Sequence, residues 1–148
     1  MKRYVAAKER ILALCEGERD EVALMASVVG VLHHEMEGFL WTGFYRVIGD
    51  GLVIGPYQGP VGCLRIANGR GVCGTAASKQ MTQVVPDVHA FPGHIACDSR
   101  SRSEIVVPVM DSGGKLIGVL DIDSKNPAHF NQGDQDALED LLYCVFEK

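Results

Sequence analysis

Between Val85 and Asp98 the chain reads V-P-D-V-H-A-F-P-G-H-I-A-C-D, and no regular element accommodates it. Pro86 and Pro92 each remove a backbone donor and fix a φ angle, and the apolar residues keep neither a helical nor a strand period. Any fold for this sequence therefore carries a long connecting loop here. Val88, Phe91 and Ile95 give the loop side chains with which to fold back on the protein, and packed loops of this length are usually lids or binding loops. The loop ends in Cys97 beside Asp98. A thiol so placed can be held at the mouth of a pocket, which a reactive cysteine needs and an ordinary buried one does not.

Size makes the loop part of one unit, because 148 residues are one domain's worth of chain, spanning 1–148. With 47% hydrophobic and 22% charged residues the chain reads as globular. Its 14 basic against 19 acidic groups give a net charge of −5 without a basic cluster, which disfavours nucleic-acid binding. The longest apolar-rich stretch, Val22 to Leu32, is too short and too interrupted to span a bilayer, and Lys8, Glu9 and Arg10 break any signal-peptide core. The expectation is a cytoplasmic protein without membrane contact. Five cysteines include no C-x-x-C pair, which weakens a structural zinc site and a thioredoxin-like motif. Inert core thiols or a redox pair brought together by folding remain, and composition alone favours core thiols.

Tyr4 to Cys15 has near-helical apolar spacing and Gly17 stops it; Asp20 then reads as the N-cap of a helix running from Glu21 to about Met36, with Leu24, Val28, Val31 and Leu32 along one stripe. His33 and His34 fall at its C-terminal end, where a cationic imidazole suits the helix dipole and a solvated role is expected. Phe39 to Val47 alternates so that Phe39, Trp41, Gly43, Tyr45 and Val47 share one face; Gly49-Asp50-Gly51 turns the strand back into Leu52 to Gln58. Periodicity alone reads those aromatics as a face covered by a helix. G-R-G-V-C-G-T-A-A, from Gly69 to Ala77, puts three glycines around the start of a short helix reaching about Lys79. Such a turn can aim bare N–H groups at a carboxylate or phosphate, and glycines needed only for tight packing are the alternative.

Met81 to Val85 is a short strand, and Glu104 to Met110 with Lys115 to Asp123 form a second hairpin, so that Asp121 and Asp123 share a face. Two carboxylates on an apolar strand either mark a site or sit at a strand end in solvent. A last helix, capped by Asn131, is expected to bury Leu138, Leu141, Leu142 and Val145. Cys15 and Cys144 occupy apolar-stripe positions on the outer helices, where inert burial is the expectation. The order of elements predicts an α+β fold, an antiparallel sheet with helices on one face and irregular segments on the other.

That order is also the order of a GAF domain. The strings W-T-G-F-Y, G-P-Y-Q-G, R-I-A-N-G-R-G-V-C-G-T-A-A, V-V-P-D-V-H-A-F-P-G-H-I-A-C-D, S-R-S-E-I-V-V-P and L-I-G-V-L-D-I-D-S cover essentially the whole chain, and it resembles the free methionine-(R)-sulfoxide reductases within that fold. The resemblance implies a single GAF-like domain with a loop-covered pocket. It implies a thioredoxin-dependent oxidoreductase that reduces free L-methionine (R)-sulfoxide and leaves peptide-bound sulfoxide alone. Position by position, Cys97 corresponds to the catalytic thiol, Cys63 to the thiol that resolves it by disulfide formation, and Cys73 to an auxiliary thiol in recycling. Trp41 and Tyr45 correspond to pocket aromatics, and Glu104, Asp121 and Asp123 to carboxylates around the substrate. The run G-P-V-G-C-L-R around Cys63 departs from the Lys-Pro-Ala-Cys-Thr-like run commoner in the family, and Thr42 stands where a small apolar residue is commoner.

The implied chemistry needs a thiolate to attack the sulfoxide sulfur while an acid protonates its oxygen, since oxide is too basic to leave. Cys97 becomes a sulfenic acid, Cys63 condenses with it, and thioredoxin or a similar reductant restores both thiols. Neither metal nor organic cofactor is called for; His89, His94 and Cys97 crowd three ligands on one loop without a fourth. Mutual repulsion and burial should leave the three carboxylates sharing a proton, with Asp123 as donor, Glu104 assisting and Asp121 positioning substrate. A homodimer is an assembly that the resemblance allows. A non-catalytic GAF sensor of a small molecule or of redox state is the alternative reading, and it gives no reason for the thiols.

Overall fold

Residues 2–94 and 97–148 are described by the computed structural model. Two helices open the chain, α1 (Tyr4–Leu14) and α2 (Glu21–Glu35). Gly17, at φ +76°, takes the left-handed turn between them, and the Asp20 carboxylate accepts the Ala23 N–H at 3.0 Å to cap α2. Six strands follow: β1 (Trp41–Ile48), β2 (Gly51–Gln58), β3 (Arg65–Ala67), β4 (Gln83–Val85), β5 (Ser103–Met110) and β6 (Leu116–Ser124). Helix α3 (Gly71–Lys79) lies between β3 and β4, and α4 (Gln132–Leu142) closes the chain. One antiparallel sheet runs β3-β2-β1-β6-β5-β4, so the two hairpins meet at β1 and β6 in its centre.

Strand alternation divides the core in two. Phe44, Ile105, Val107, Val109, Leu120 and Ile122 point to the side of α1, α2 and α4, where they bury against Met25, Val28, Leu32, Leu138 and Leu141. Trp41, Tyr45, Val106 and Val119 point to the opposite side, against Val72, Cys73 and Ala76 of α3 and against Val88 and Phe91 of the long loop. The loop therefore does fold back, through Val88 and Phe91; Ile95, named with them from sequence, lies outside the described residues. A single 3₁₀ turn at Val88–Ala90, with Asp87 accepting the His89 N–H, is its one regular piece among the described residues. No helix among the described residues is long and apolar enough to cross a membrane.

Among the irregular segments of the loop face lies the short helix α3. Five expectations about single residues need correction. Phe39 leaves the Trp41 face and packs with Phe130 in the other core, because Gly38 at φ +81° turns the chain just ahead of β1 and alternation starts only at Trp41. After α4 the chain widens into a π turn, Tyr143–Glu147, in which the Lys148 N–H bonds to Tyr143 O. The extra residue per turn brings Phe146 to the core and leaves Val145 and Cys144 half-buried, which breaks the 3.6-residue stripe. Cys15 is half-buried too, though it packs against the helix-side core. His33 turns in to Thr42 Oγ1 at 3.0 Å, and burial lowers its pKa, so it is a neutral partner of β1 while His34 alone is exposed.

Candidate functional site

Register sets the floor of the site. Antiparallel partners project their side chains to the same face, and Trp41, Asp123 and Glu104 pair in one row across β1, β6 and β5. The next row is Gly43, Asp121 and Val106. Gly43 is required there, since a Cβ would stand 2.4 Å from Trp41 Cη2. The indole can therefore lie flat along the sheet, stacked on Tyr45 at 5.8 Å and on Tyr57 at 5.2 Å. Above these rows is a cavity of about 50 Å³, walled by Trp41, Tyr45 and Ile66, roofed by His94, Cys97 and Asp98, and floored by Glu104, Asp121 and Asp123.

Three neighbouring acids on two adjacent strands cannot all ionise freely. Burial first, then Asp121 and Asp123, push the Glu104 carboxyl well above the usual range. Asp123 rises through burial and the neighbouring Asp121, although Ser101 Oγ donates to its Oδ1 at 3.2 Å and opposes the rise. Asp121 is raised by burial and pulled back by hydrogen bonds from Glu104 and Cys73. Its Oδ1 is buried without a hydrogen-bond partner among the described residues, a costly arrangement unless a ligand completes it. Cys73 Sγ and the Glu104 and Asp121 carboxylates come within 4.8 Å of one another, a set that could hold a metal among the described residues. Three such ligands could suit a soft dication, but burial pushes the Cys73 thiol up, so it favours the protonated donor role beside Asp121.

The opposite wall is the start of α3. Gly69 and Gly71 sit at φ +73° and +63°, a backbone that L side chains rarely adopt. Gly74 serves packing instead, since a Cβ there would lie 3.0 Å from Gly69 C. Tight packing therefore accounts for Gly74, and the left-handed turn for Gly69 and Gly71. Arg70, Gly71, Val72 and Cys73 line the cavity, so the helix presents its free N–H end to it. At the rim, Cys63 and Cys97 form a disulfide with Cα atoms 5.6 Å apart, although 34 residues separate them. Cys15, Cys73 and Cys144 are free.

The GAF domain profile matches residues 9–143. The free methionine-R-sulfoxide reductase of Escherichia coli is 45% identical over 130 residues, 88% of this chain and 78% of that protein. The fRMsr of Staphylococcus aureus, solved in complex with its substrate, superposes with a TM-score of 0.92 at 40% identity, covering 98% of this chain and 94% of that one. The chain belongs to the free methionine-R-sulfoxide reductases of the GAF family. GAF domain-containing protein A of Dictyostelium discoideum is similar at 44% identity over 142 residues, 95% of this chain and 89% of that protein.

Within this GAF cavity the structure brings together the eight residues singled out from sequence, except that Cys63 lines its rim only through the bond to Cys97. The two ring residues, read from periodicity as lying beneath a helix, face the cavity and α3 together. Sequence reasoning missed Ser101, which touches Asp123, and Asp98, whose charge is spent on Arg100 at 2.8 Å and whose carboxyl drops to about 2. Both lie in the D-S-R-S-R-S run after Cys97, where polar residues look like ordinary loop. His94 lies 3.9 Å from Glu104, whereas His89 is exposed and away from the cavity lining.

Proposed function

We propose that this protein is an oxidoreductase that reduces the R epimer of free L-methionine sulfoxide to methionine. The observation that carries the proposal is the disulfide between Cys63 and Cys97 at the rim of a cavity floored by three acids of raised pKa. Sulfoxide reduction needs a thiol and a proton donor on one substrate, and both are at hand. The Cys97 thiolate attacks the sulfoxide sulfur as the cluster, with Asp123 the chosen donor and Glu104 assisting, protonates the oxygen. The substrate's S–O bond breaks, its hydroxyl passes to the Cys97 sulfur as the transient bond between the two sulfurs is released, methionine leaves and Cys97 holds a sulfenic acid. Cys63 attacks that sulfur, hydroxide leaves with the Cys63 proton as water, and the disulfide forms. Two electrons have passed from two thiols to the sulfoxide. Thioredoxin or a similar dithiol attacks the disulfide and restores the pair.

A free amino acid also needs partners for its two charges. Unpartnered Asp121 Oδ1 is suited to the ammonium, and the N–H groups opening α3 are suited to the carboxylate. Trp41 and Tyr45 would shelter the S-methyl group, which leaves the oxygen towards the acids and selects one epimer. The decisive experiment is thioredoxin-coupled turnover with the R and S epimers of free methionine sulfoxide and with a blocked peptide containing the R epimer. Turnover of the free R epimer alone is expected, because a peptide-bound residue lacks the free ammonium and carboxylate that these groups would pair with. Comparable turnover of the peptide would overturn the substrate assignment.

A further inference from the structure

Residues 59–64, which join β2 to β3 and contain Cys63, form no regular element. Side chains of β1 hold them. Trp41 Nε1 donates to Pro60 O at 2.8 Å, and the Tyr45 hydroxyl donates to Cys63 O at 2.9 Å. The loop also lies on the indole, for a Cβ at Gly62 would stand 3.0 Å from Trp41 Cζ2. At its start Gly59 takes φ +114°, where a Cβ would meet Leu40 O at 2.6 Å. The Ile54 N–H bond to Leu64 O, 2.9 Å, fixes the far end. Contacts at Gly59, Pro60, Gly62, Cys63 and Leu64 therefore suspend the segment from the central strand and its neighbour.

We propose that Tyr45 and Trp41 are positioning residues for the disulfide-forming step: by bonding to the carbonyls of Cys63 and Pro60 they hold the resolving thiol against the sulfur of Cys97. The argument is one of effective concentration. A flexible loop bearing a thiol samples many placements, whereas a loop tied at the carbonyl of the reacting residue keeps its sulfur near attack geometry. β1 is a suitable anchor because it is bonded on both sides in the middle of the sheet. Burial and the nearby carboxylates keep the Tyr45 phenol protonated, so it remains a donor across the working pH range. Pocket walls and resolving loop thus share the same two rings.

The inference rests on the redox roles proposed above for Cys97 and Cys63, and using hydrogen peroxide as the oxidant separates the two. A peroxide oxygen is transferred to the Cys97 thiolate as the O–O bond breaks and hydroxide leaves; Cys63 then attacks the Cys97 sulfur, forming S–S, breaking S–O and releasing water. This route makes the sulfenic acid whether or not methionine sulfoxide is the substrate. In Tyr45→Phe, which loses only the hydroxyl, the sulfenic acid measured by dimedone capture is expected to live about five to ten times longer than in wild type, the usual weight of one hydrogen bond. Protection of Cys73, which is 4% exposed, from a thiol reagent reports that the fold is intact. A wild-type lifetime with Cys73 still protected overturns the proposal. Should Cys73 become reactive in Tyr45→Phe, Trp41→Phe, which removes the other donor, takes its place under the same two readouts.

Discussion

Cys97 is exposed and Cys63 half-buried in the bonded pair, and the proposed chemistry asks different things of them. The first must reach substrate, and the second must reach only the first. Cys97→Ser is expected to abolish sulfoxide reduction, while Cys63→Ser is expected to release about one methionine per subunit and then stall; quench-flow product counts distinguish the two. Sustained turnover by the second variant would pass the resolving role to Cys73, which its burial among acids argues against. Individual thiols were the least legible part of the site. Spacing has no way to show that residues 63 and 97 meet, because their approach depends on sheet order and on a loop without period. Only the resemblance named that pair. By contrast, the shared face of Asp121 and Asp123 was readable directly, since a strand's period of two is local.

Elements with a strong period were legible, and those shaped by a neighbour were not. Both long helices and both hairpins follow from apolar spacing and Gly or Asp turns. Strand β3, three residues long, exists because Arg65 and Ile66 find partners on β2, and so small a strand leaves no periodicity to read. The π turn after α4 likewise answers to packing of Phe146 against Phe44, ring centroids 5.8 Å apart. The α3 start lies between these cases: its glycines announce an unusual turn, while only the structure gives the left-handed angle at Gly71. Gly71→Ala forces a Cβ into that region at a cost of about 1–2 kcal/mol, or relaxes the turn and misaims the N–H groups. If those groups bind the substrate carboxylate, KM for methionine sulfoxide should rise about tenfold with a smaller change in kcat. An unchanged KM would remove the helix end from substrate binding.

At the scale of the molecule, the two cores have opposite tasks. The helix side is apolar and closed, with Phe44, Ile11, Leu120, Ile122 and Leu138 fully buried, whereas the loop side keeps Glu104 and Asp121 at 5% and 6% exposure beside Asp123. Such a site costs stability, and the sign follows from protons bound. Because the folded carboxyls titrate above their unfolded values, their contribution is fully present below the ordinary carboxylate range and is lost as pH rises through the raised values. Half-buried His33, His94 and His129 have lowered pKa values and act oppositely, losing stability as pH falls below the ordinary imidazole range. Glu104→Gln removes one acid whose pKa burial raises and should raise the Tm at neutral pH by about 2–4 °C, the shift expected for roughly 1 kcal/mol in a chain of this size, while impairing reduction. Activity should read the same titration. Single-turnover rates should fall with rising pH as the cluster surrenders its proton. In Asp123→Asn the falling limb should shift or vanish, and the pH dependence of Tm should flatten with it. If the Tm profile flattens while the falling limb of the rate stays in place, in this variant and in Glu104→Gln and Asp121→Asn alike, the acids are titrating but the sulfoxide oxygen takes its proton from elsewhere.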